Sequence, residues 1–321
     1  RTGAGNAAGL TARPRTMATE HPPSGLRVCA IAAADGRFRA EIVPALGGVV
    51  SSLQLPGPDG RPRECLYRHA WFWDPGTDAT RGGSPVLFPV CGRLLKDGQP
   101  GRYETGGRPY VLPLHGFAMR LPWTVGDDSR PDALELRLAD TAETRAMYPF
   151  SFELTLRHAV SDQGYACRLT VANTGDRPMP YYAGFHPYFL TPPPGAGKEH
   201  TLFGAQPVTR WLYNPGKTEI TVAAPAPAFP MPVARVDVNE LLLELGERRE
   251  THLVFPDGFE LRQDASALLR YRQFYTMAEE PFFCDEAWMA PPGSLNRPGA
   301  ARELPPGQAD TVEIRVSAGR A

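Results

Sequence analysis

A chain of 321 residues with 42% apolar and 21% charged side chains has an ordinary globular composition and enough length to bury a large core. Its 34 basic and 35 acidic residues cancel, so no net field favours nucleic acid or an anionic membrane surface, and a neutral small molecule is the natural ligand. The 35 prolines and 32 glycines cut the chain into short segments, which works against long helices.

The first 24 residues are rich in Ala, Gly, Arg, Thr and Pro and are read as a disordered extension, with Met17 as the start. From residue 25 to 321 we expect one domain, since no repeat or charge block divides it. Strand character follows at 27–31, 38–43, 49–55 and 110–112. It is clearest where apolar and polar residues alternate: Leu134, Leu136 and Leu138; Phe152, Leu154 and Leu156; Tyr165, Cys167, Leu169 and Val171. Turn signals punctuate these runs at Asp127-Asp128, Tyr148-Pro149, Asp162-Gln163-Gly164 and Asn173-Thr174-Gly175-Asp176.

Further along, proline-dense 192–197 and 225–232 read as loops crossing a sheet edge, 239–245 and 266–270 as short helices, and 251–255 and 259–262 as strands. Val312, Ile314 and Val316 mark a last strand. A doubly wound α/β fold needs helices of three turns or more between strands, so the pattern points to an all-β protein with few short helices. The five cysteines, Cys29, Cys65, Cys91, Cys167 and Cys284, form no CxxC pair and have no zinc-spaced His. They fit a reduced, cytoplasmic chain without a metal. No segment reaches the roughly 20 apolar residues needed to span a bilayer.

Three segments break the strand pattern with chemistry-bearing residues. The first runs from Pro85 to Arg93 and, through a hairpin-like 96–113, to Leu114-His115-Gly116-Phe117. The second is Gly184-Phe185-His186-Pro187-Tyr188-Phe189, and the third Pro281 to Trp288 with Cys284-Asp285-Glu286-Ala287-Trp288 at its end. Gly92-Arg93, Leu-His-Gly-Phe at 114–117, His-Pro-Tyr-Phe at 186–189 and Cys-Asp-Glu-Ala-Trp at 284–288, in that order, resemble the motifs of the bacterial aldose 1-epimerase, or galactose mutarotase-like, family.

The resemblance implies a large antiparallel β-sandwich with a sugar cleft, and interconversion of the α and β anomers of a free aldohexose without any cofactor. It makes His186 the general acid, Glu286 the general base, and Arg93 and His115 holders of sugar hydroxyls. For an aspartate that contacts the sugar in many relatives, the nearest match is Asp237, with Asn239 as the alternative. Met119-Arg120 departs from the Ala-Arg common after His-Gly-Phe.

The chemistry independently asks for such a pair, because opening a hemiacetal removes a proton from O1 while the ring oxygen gains one. An imidazole of ordinary pKa near 6.5 can give and recover that proton, and donors such as Arg93 or a second His would keep Glu286 ionised. Tyr188, Phe185, Phe283 and Trp288 offer flat apolar faces for a pyranose, Trp288 foremost, with packing in the core as the competing role. His69, in the aromatic run 67–73, fits either a sugar-facing or a packed loop, whereas His158 reads as structural.

Three other functions compete. A hexose 6-phosphate epimerase would draw on Arg68, Arg120 or Arg210 for the phosphate. A sugar-binding or regulatory module would keep the fold without needing both an acid and a base. A glycosidase would need two carboxyl groups about 5–10 Å apart, yet adjacent Asp285 and Glu286 on a strand face opposite ways. The partner is a monosaccharide in each epimerase reading, and the chain is expected to act as a monomer or homodimer.

Overall fold

The computed structural model describes residues 22, 25–74, 76, 77 and 80–320. The extension expected at 1–24, including Met17, lies almost entirely outside them. Among the described residues every paired strand of the named sheets is antiparallel, and two large sheets dominate. One has nine strands in the order Thr124–Val125, Ala133–Ala139, Phe152–Ser161, Gly164–Asn173, Ala309–Arg320, Phe259–Ala265, Thr251–Val254, Leu202–Ala205 and Met231–Pro232. The alternation read from the sequence is what builds it. Leu136, Leu156, Leu169 and Val312 pair in register across four strands and form one buried row. Each such side chain contributes about 1.5–3 kcal/mol when fully buried.

The second sheet has eight strands. Its spine runs Ile220–Ala224, Pro207–Tyr213, Leu241–Leu245, Tyr271–Tyr275, Phe282–Trp288, Gly184–Phe185 and Val86–Leu87, and Tyr188–Leu190 also pairs with Phe282–Trp288. The sheets meet through aromatic rings: Phe203 of the first lies 4.9 Å from Phe274 and 5.0 Å from Phe283 of the second. The fold is the expected galactose mutarotase-like β-sandwich. A smaller four-stranded sheet, Cys29–Ala32 to Pro62–Glu64, adds to the same core, and the expected hairpin at 96–113 is present as two short ones.

Two helical expectations are corrected. Residues 239–245 lead into the strand Leu241–Leu245, preceded by a single 3-10 turn at Val236–Val238, and 266–270 form a turn. Leu241, Leu242, Leu243 and Leu245 are all buried, and a strand covered on both faces shows a continuous apolar run that mimics a buried helix. The one α-helix among the described residues is Ala142–Met147, begun by a capping box between Thr141 and Thr144. No described helix is long and apolar enough to cross a membrane.

Candidate active site

The strand Phe282–Trp288 divides its side chains by alternation. Phe283, Asp285 and Ala287 face the core, where Asp285 accepts from the Thr251 hydroxyl and its backbone oxygen from Gln263 Nε2 at 2.8 Å, both on the other sheet. Glu286 and Trp288 face the opposite way, into a cleft of ≈ 190 Å³ that His186, His115 and Arg93 also line. Asp285 and Glu286 therefore cannot serve one substrate as a carboxylate pair.

His186 reaches Glu286 through strand register. Gly184 pairs with Trp288 and Phe185 with Ala287; beyond Pro187, Tyr188 pairs with Cys284 and Phe189 with Phe283. The register is the same on both sides of the break, so His186 falls directly across from Glu286, and proline merely interrupts the ladder because it has no N–H to give. The result is a 3.4 Å approach of His186 Nε2 to Glu286 Oε2, both side chains buried. The imidazole stacks on Tyr188 at 4.7 Å and 5°, and the Tyr188 hydroxyl donates to Thr80 Oγ1 at 2.7 Å.

His115 is set by Gly92. The Gly92 N–H donates to His115 Nδ1 at 3.0 Å, and the His115 N–H donates back to the Gly92 carbonyl at 3.1 Å. With Nδ1 accepting, the proton of the neutral ring sits on Nε2, which is left as a hydrogen-bond donor. Arg120, offered from sequence only as a candidate for a phosphate, clamps the turn: Nη1 donates to the carbonyls of Leu114 at 3.0 Å and Gly116 at 2.7 Å.

His115, His186 and Glu286 each offer a ligand atom within 4.8 Å of one another, close enough for a cation. Binding one through His115 Nε2 would push that proton onto Nδ1 and break the bond from Gly92.

Burial governs the charges. It holds His186 down to about 3 and His115 well below its usual value, with His186, Arg120 and Arg93 adding to the second effect. Glu286 is pushed well above the ordinary carboxylate range, first by burial and then by the Glu240 carboxylate; the Trp288 indole and Arg93 oppose this without prevailing. Arg93 acts in the direction expected of it, favouring the ionised Glu286, but burial outweighs it. His186 Nδ1 is buried without a hydrogen-bond partner, which further disfavours the doubly protonated imidazolium, and Glu286 Oε2 likewise lacks one.

A sequence model described as aldose 1-epimerase matches residues 30–207. The chain belongs to that family. It superimposes on the Slr1438 protein from Synechocystis sp. PCC 6803 with a TM-score of 0.78 at 24% identity, covering 95% of this chain and 100% of that one. A galactose mutarotase-like protein from Lactobacillus casei ATCC 334 gives 0.75 at 20% identity over 91% and 100%.

Among curated relatives, the chromosomal LacX protein of Lactococcus lactis is 28% identical over 151 residues, 46% of each chain. An Escherichia coli K12 protein, whose name proposes it as a glucose-6-phosphate 1-epimerase, is 31% identical over 114 residues, 35% of this chain and 33% of that one. The matches span less than half the length of these curated relatives.

In this aldose 1-epimerase family member, five of the six sequence-derived site residues share the cleft: Arg93, His115, His186, Glu286 and Trp288. Asp237 does not. The 3-10 turn directs it outward, where it pairs with Arg235 at 2.6 Å with side chains 45% and 51% exposed. The alternative, Asn239, accepts from the Thr276 N–H at 3.4 Å instead of lining the cleft.

Besides Glu286, the acidic residue that lines it is Glu240, with Lys217, Tyr213, Gln273 and Tyr275. Gln273 was findable in principle, since its strand pairs it with Glu286. Of the four aromatics, Tyr188 and Trp288 line the cleft while Phe185 and Phe283 pack in the core. His69 stacks on Trp71 at 4.4 Å and packs edge-on against Tyr188, behind the cleft.

Proposed function

We propose that the chain is an aldose 1-epimerase acting on a free aldose, with His186 and Glu286 as its acid–base pair. The observation that carries this is the 3.4 Å contact of an imidazole and a carboxyl, buried at one end of a small polar cleft. Glu286 takes the O1 proton while His186 protonates the ring oxygen and the C1–O5 bond breaks, giving the open aldehyde with a free 5-hydroxyl. Rotation about C1–C2 turns the other carbonyl face toward O5. Closure with the roles reversed yields the other anomer and restores both groups.

The pKa directions add a condition. Burial disfavours the charged form of both groups, and the Glu240 carboxylate adds to this at Glu286. Sugar hydroxyls must therefore replace the solvation lost on burial and draw the proton across to His186. His115 Nε2–H and Arg93 supply donors to those hydroxyls. All the groups the reaction needs are side chains of this chain. The five free cysteines support a cytoplasmic location.

A 6-phosphate is the rival substrate, named in the E. coli and Cenchrus ciliaris relatives. Of the arginines the sequence offered for it, Arg68, Arg120 and Arg210, none lines the cleft. The test is anomer-resolved NMR or polarimetry of freshly dissolved glucose and galactose. The wild-type chain should accelerate equilibration, and Glu286→Gln and His186→Ala should each lower kcat by about 10²–10⁴-fold. Full activity in both variants would refute the assignment.

A further inference from the structure

Two charged residues of the cleft have no part in the proton transfers. Lys217 stands in the turn after Pro207–Tyr213, Glu240 just before Leu241–Leu245, and they close on one another at 2.8 Å in the cleft wall. Both hold left-handed backbone, φ 54° and 62°. With His115 at φ 61° they make three of the four non-glycine residues in that conformation among the described residues, and all three line this cleft. Each costs about 1–2 kcal/mol that the surrounding structure must offset.

The supports are visible. The Asn214 carbonyl accepts from the Lys217 N–H at 2.9 Å, and its side chain accepts from the Thr218 N–H at 2.9 Å and donates to Thr218 Oγ1 at 2.8 Å. Gln273 Nε2 donates to the second Glu240 oxygen at 3.2 Å, and the Tyr213 hydroxyl donates to Gln273 Oε1 at 2.6 Å. Both carboxylate oxygens are thereby engaged and the ion pair is fixed in place.

Resting on the reading of this cleft as an epimerase site, we propose that the Lys217–Glu240 pair determines specificity, selecting neutral aldoses over aldoses that carry a 6-phosphate or a uronate. A sugar hydroxyl is both donor and acceptor. It can take a hydrogen bond from Lys217 and give one to Glu240 while the two charges stay together. An anion cannot. At Lys217 it can accept a hydrogen bond but has no proton to give Glu240, and it sets a second negative charge beside that half-buried carboxylate. A cleft of ≈ 190 Å³ is smaller than the usual 300–1,000 Å³ ligand pocket, so substituents of a bound ring stay close to the pair.

The test compares glucose, glucose 6-phosphate and glucuronate at equal ionic strength, by kcat/KM and, independently of turnover, by calorimetric binding. The wild-type chain should favour glucose by about tenfold or more, because like-charge contacts at an interface cost enough for that. Glu240→Gln frees Lys217 for the anion and should shrink the preference at least about tenfold, whereas Lys217→Gln leaves Glu240 uncompensated and should widen it. Circular dichroism checks that both variants are folded. Equal handling of the three sugars by the wild-type chain, or an unchanged ratio in folded Glu240→Gln, overturns the proposal. Selective binding without any turnover would overturn the epimerase reading and leave the selectivity standing; no binding of any sugar would sink both.

Discussion

Gly92 is where fold and site are tied most tightly, and Gly92→Ala measures the tie. Its φ of +73° is left-handed, and a Cβ there would lie 2.6 Å from Pro292 Cγ and 3.4 Å from the Trp288 ring. A proline ring cannot swing aside as a long side chain can. The conformational term is about 1–2 kcal/mol and the forced overlap about 1–3 kcal/mol, so the variant should lose about 2–5 kcal/mol. At an unfolding entropy near 2.1 cal/mol/K per residue, that lowers the midpoint of a chain this long by about 3–7 °C.

Gly107 provides the control within the same molecule. It has nearly the same φ, +72°, but nothing within 4 Å of its Cβ position, so Gly107→Ala carries only the conformational term. Displacing Gly92 also disturbs the 3.0 Å bond that fixes the His115 tautomer. We therefore expect a loss of about tenfold or more in kcat/KM for Gly92→Ala and none for Gly107→Ala. Differential scanning calorimetry and anomer-exchange NMR on both variants decide it. If Gly92→Ala melts with Gly107→Ala and keeps wild-type kinetics, the crowding argument at Pro292 is wrong.

His158, buried against the Tyr165 hydroxyl at 2.8 Å, is held down to about 3 by burial. Below its ordinary value near 6.5 the unfolded chain takes up a proton that the native ring refuses, so native stability falls as pH falls, by about 2 kcal/mol at pH 5 from this residue. Urea unfolding of wild type and His158→Gln should show their stability difference shifting by that amount, in favour of the variant, between about pH 7.5 and pH 5. A pH-independent difference would contradict the burial argument. Asp237→Asn removes an exposed pair and should change stability by less than about 0.5 kcal/mol and leave epimerisation untouched. A tenfold drop in kcat/KM would instead place the sugar against the 236–238 turn.

Most of the sandwich is legible in the sequence because strands with one wet face announce themselves by alternation, as Phe152 to Leu156 do. Leu241–Leu245 does not, since its two covered faces erase the alternation. Ala142–Met147 is too short for a helical period to accumulate, although the Thr141–Thr144 cap was there to be read. The site divides the same way. His115, His186 and Glu286 interrupt apolar runs with residues a core would not choose.

Glu240 offers no such contrast, lying among Asp237, Asn239 and Glu244. Its place in the cleft depends on a left-handed backbone at that residue, which nothing in Val-Asp-Val-Asn-Glu-Leu-Leu announces. Lys217 is hidden for the same reason, and Arg120 because its guanidinium acts on backbone carbonyls, which every sequence has.

The strand at 282–288 shows how one local rule serves both stability and chemistry. Alternation sends Asp285 to the core and Glu286 to the cleft, and burial raises the pKa of both carboxyls, but their neighbours differ. Asp285 is given the Thr251 hydroxyl and the Arg272 guanidinium at 3.8 Å, a polar anchor between the two sheets. Glu286 is given burial, a neighbouring carboxylate and one imidazole, so its free oxygen has no settled partner in the protein. A group left so poorly satisfied is costly unless a ligand completes it. The fixed register of the flanking strand keeps that cost from relaxing away, because His186 can move from Glu286 only if the pairing of Gly184–Phe185 and Tyr188–Leu190 moves with it. The strain at His115, Lys217 and Glu240 follows the same logic, with stability surrendered at the cleft and recovered from the sandwich behind it.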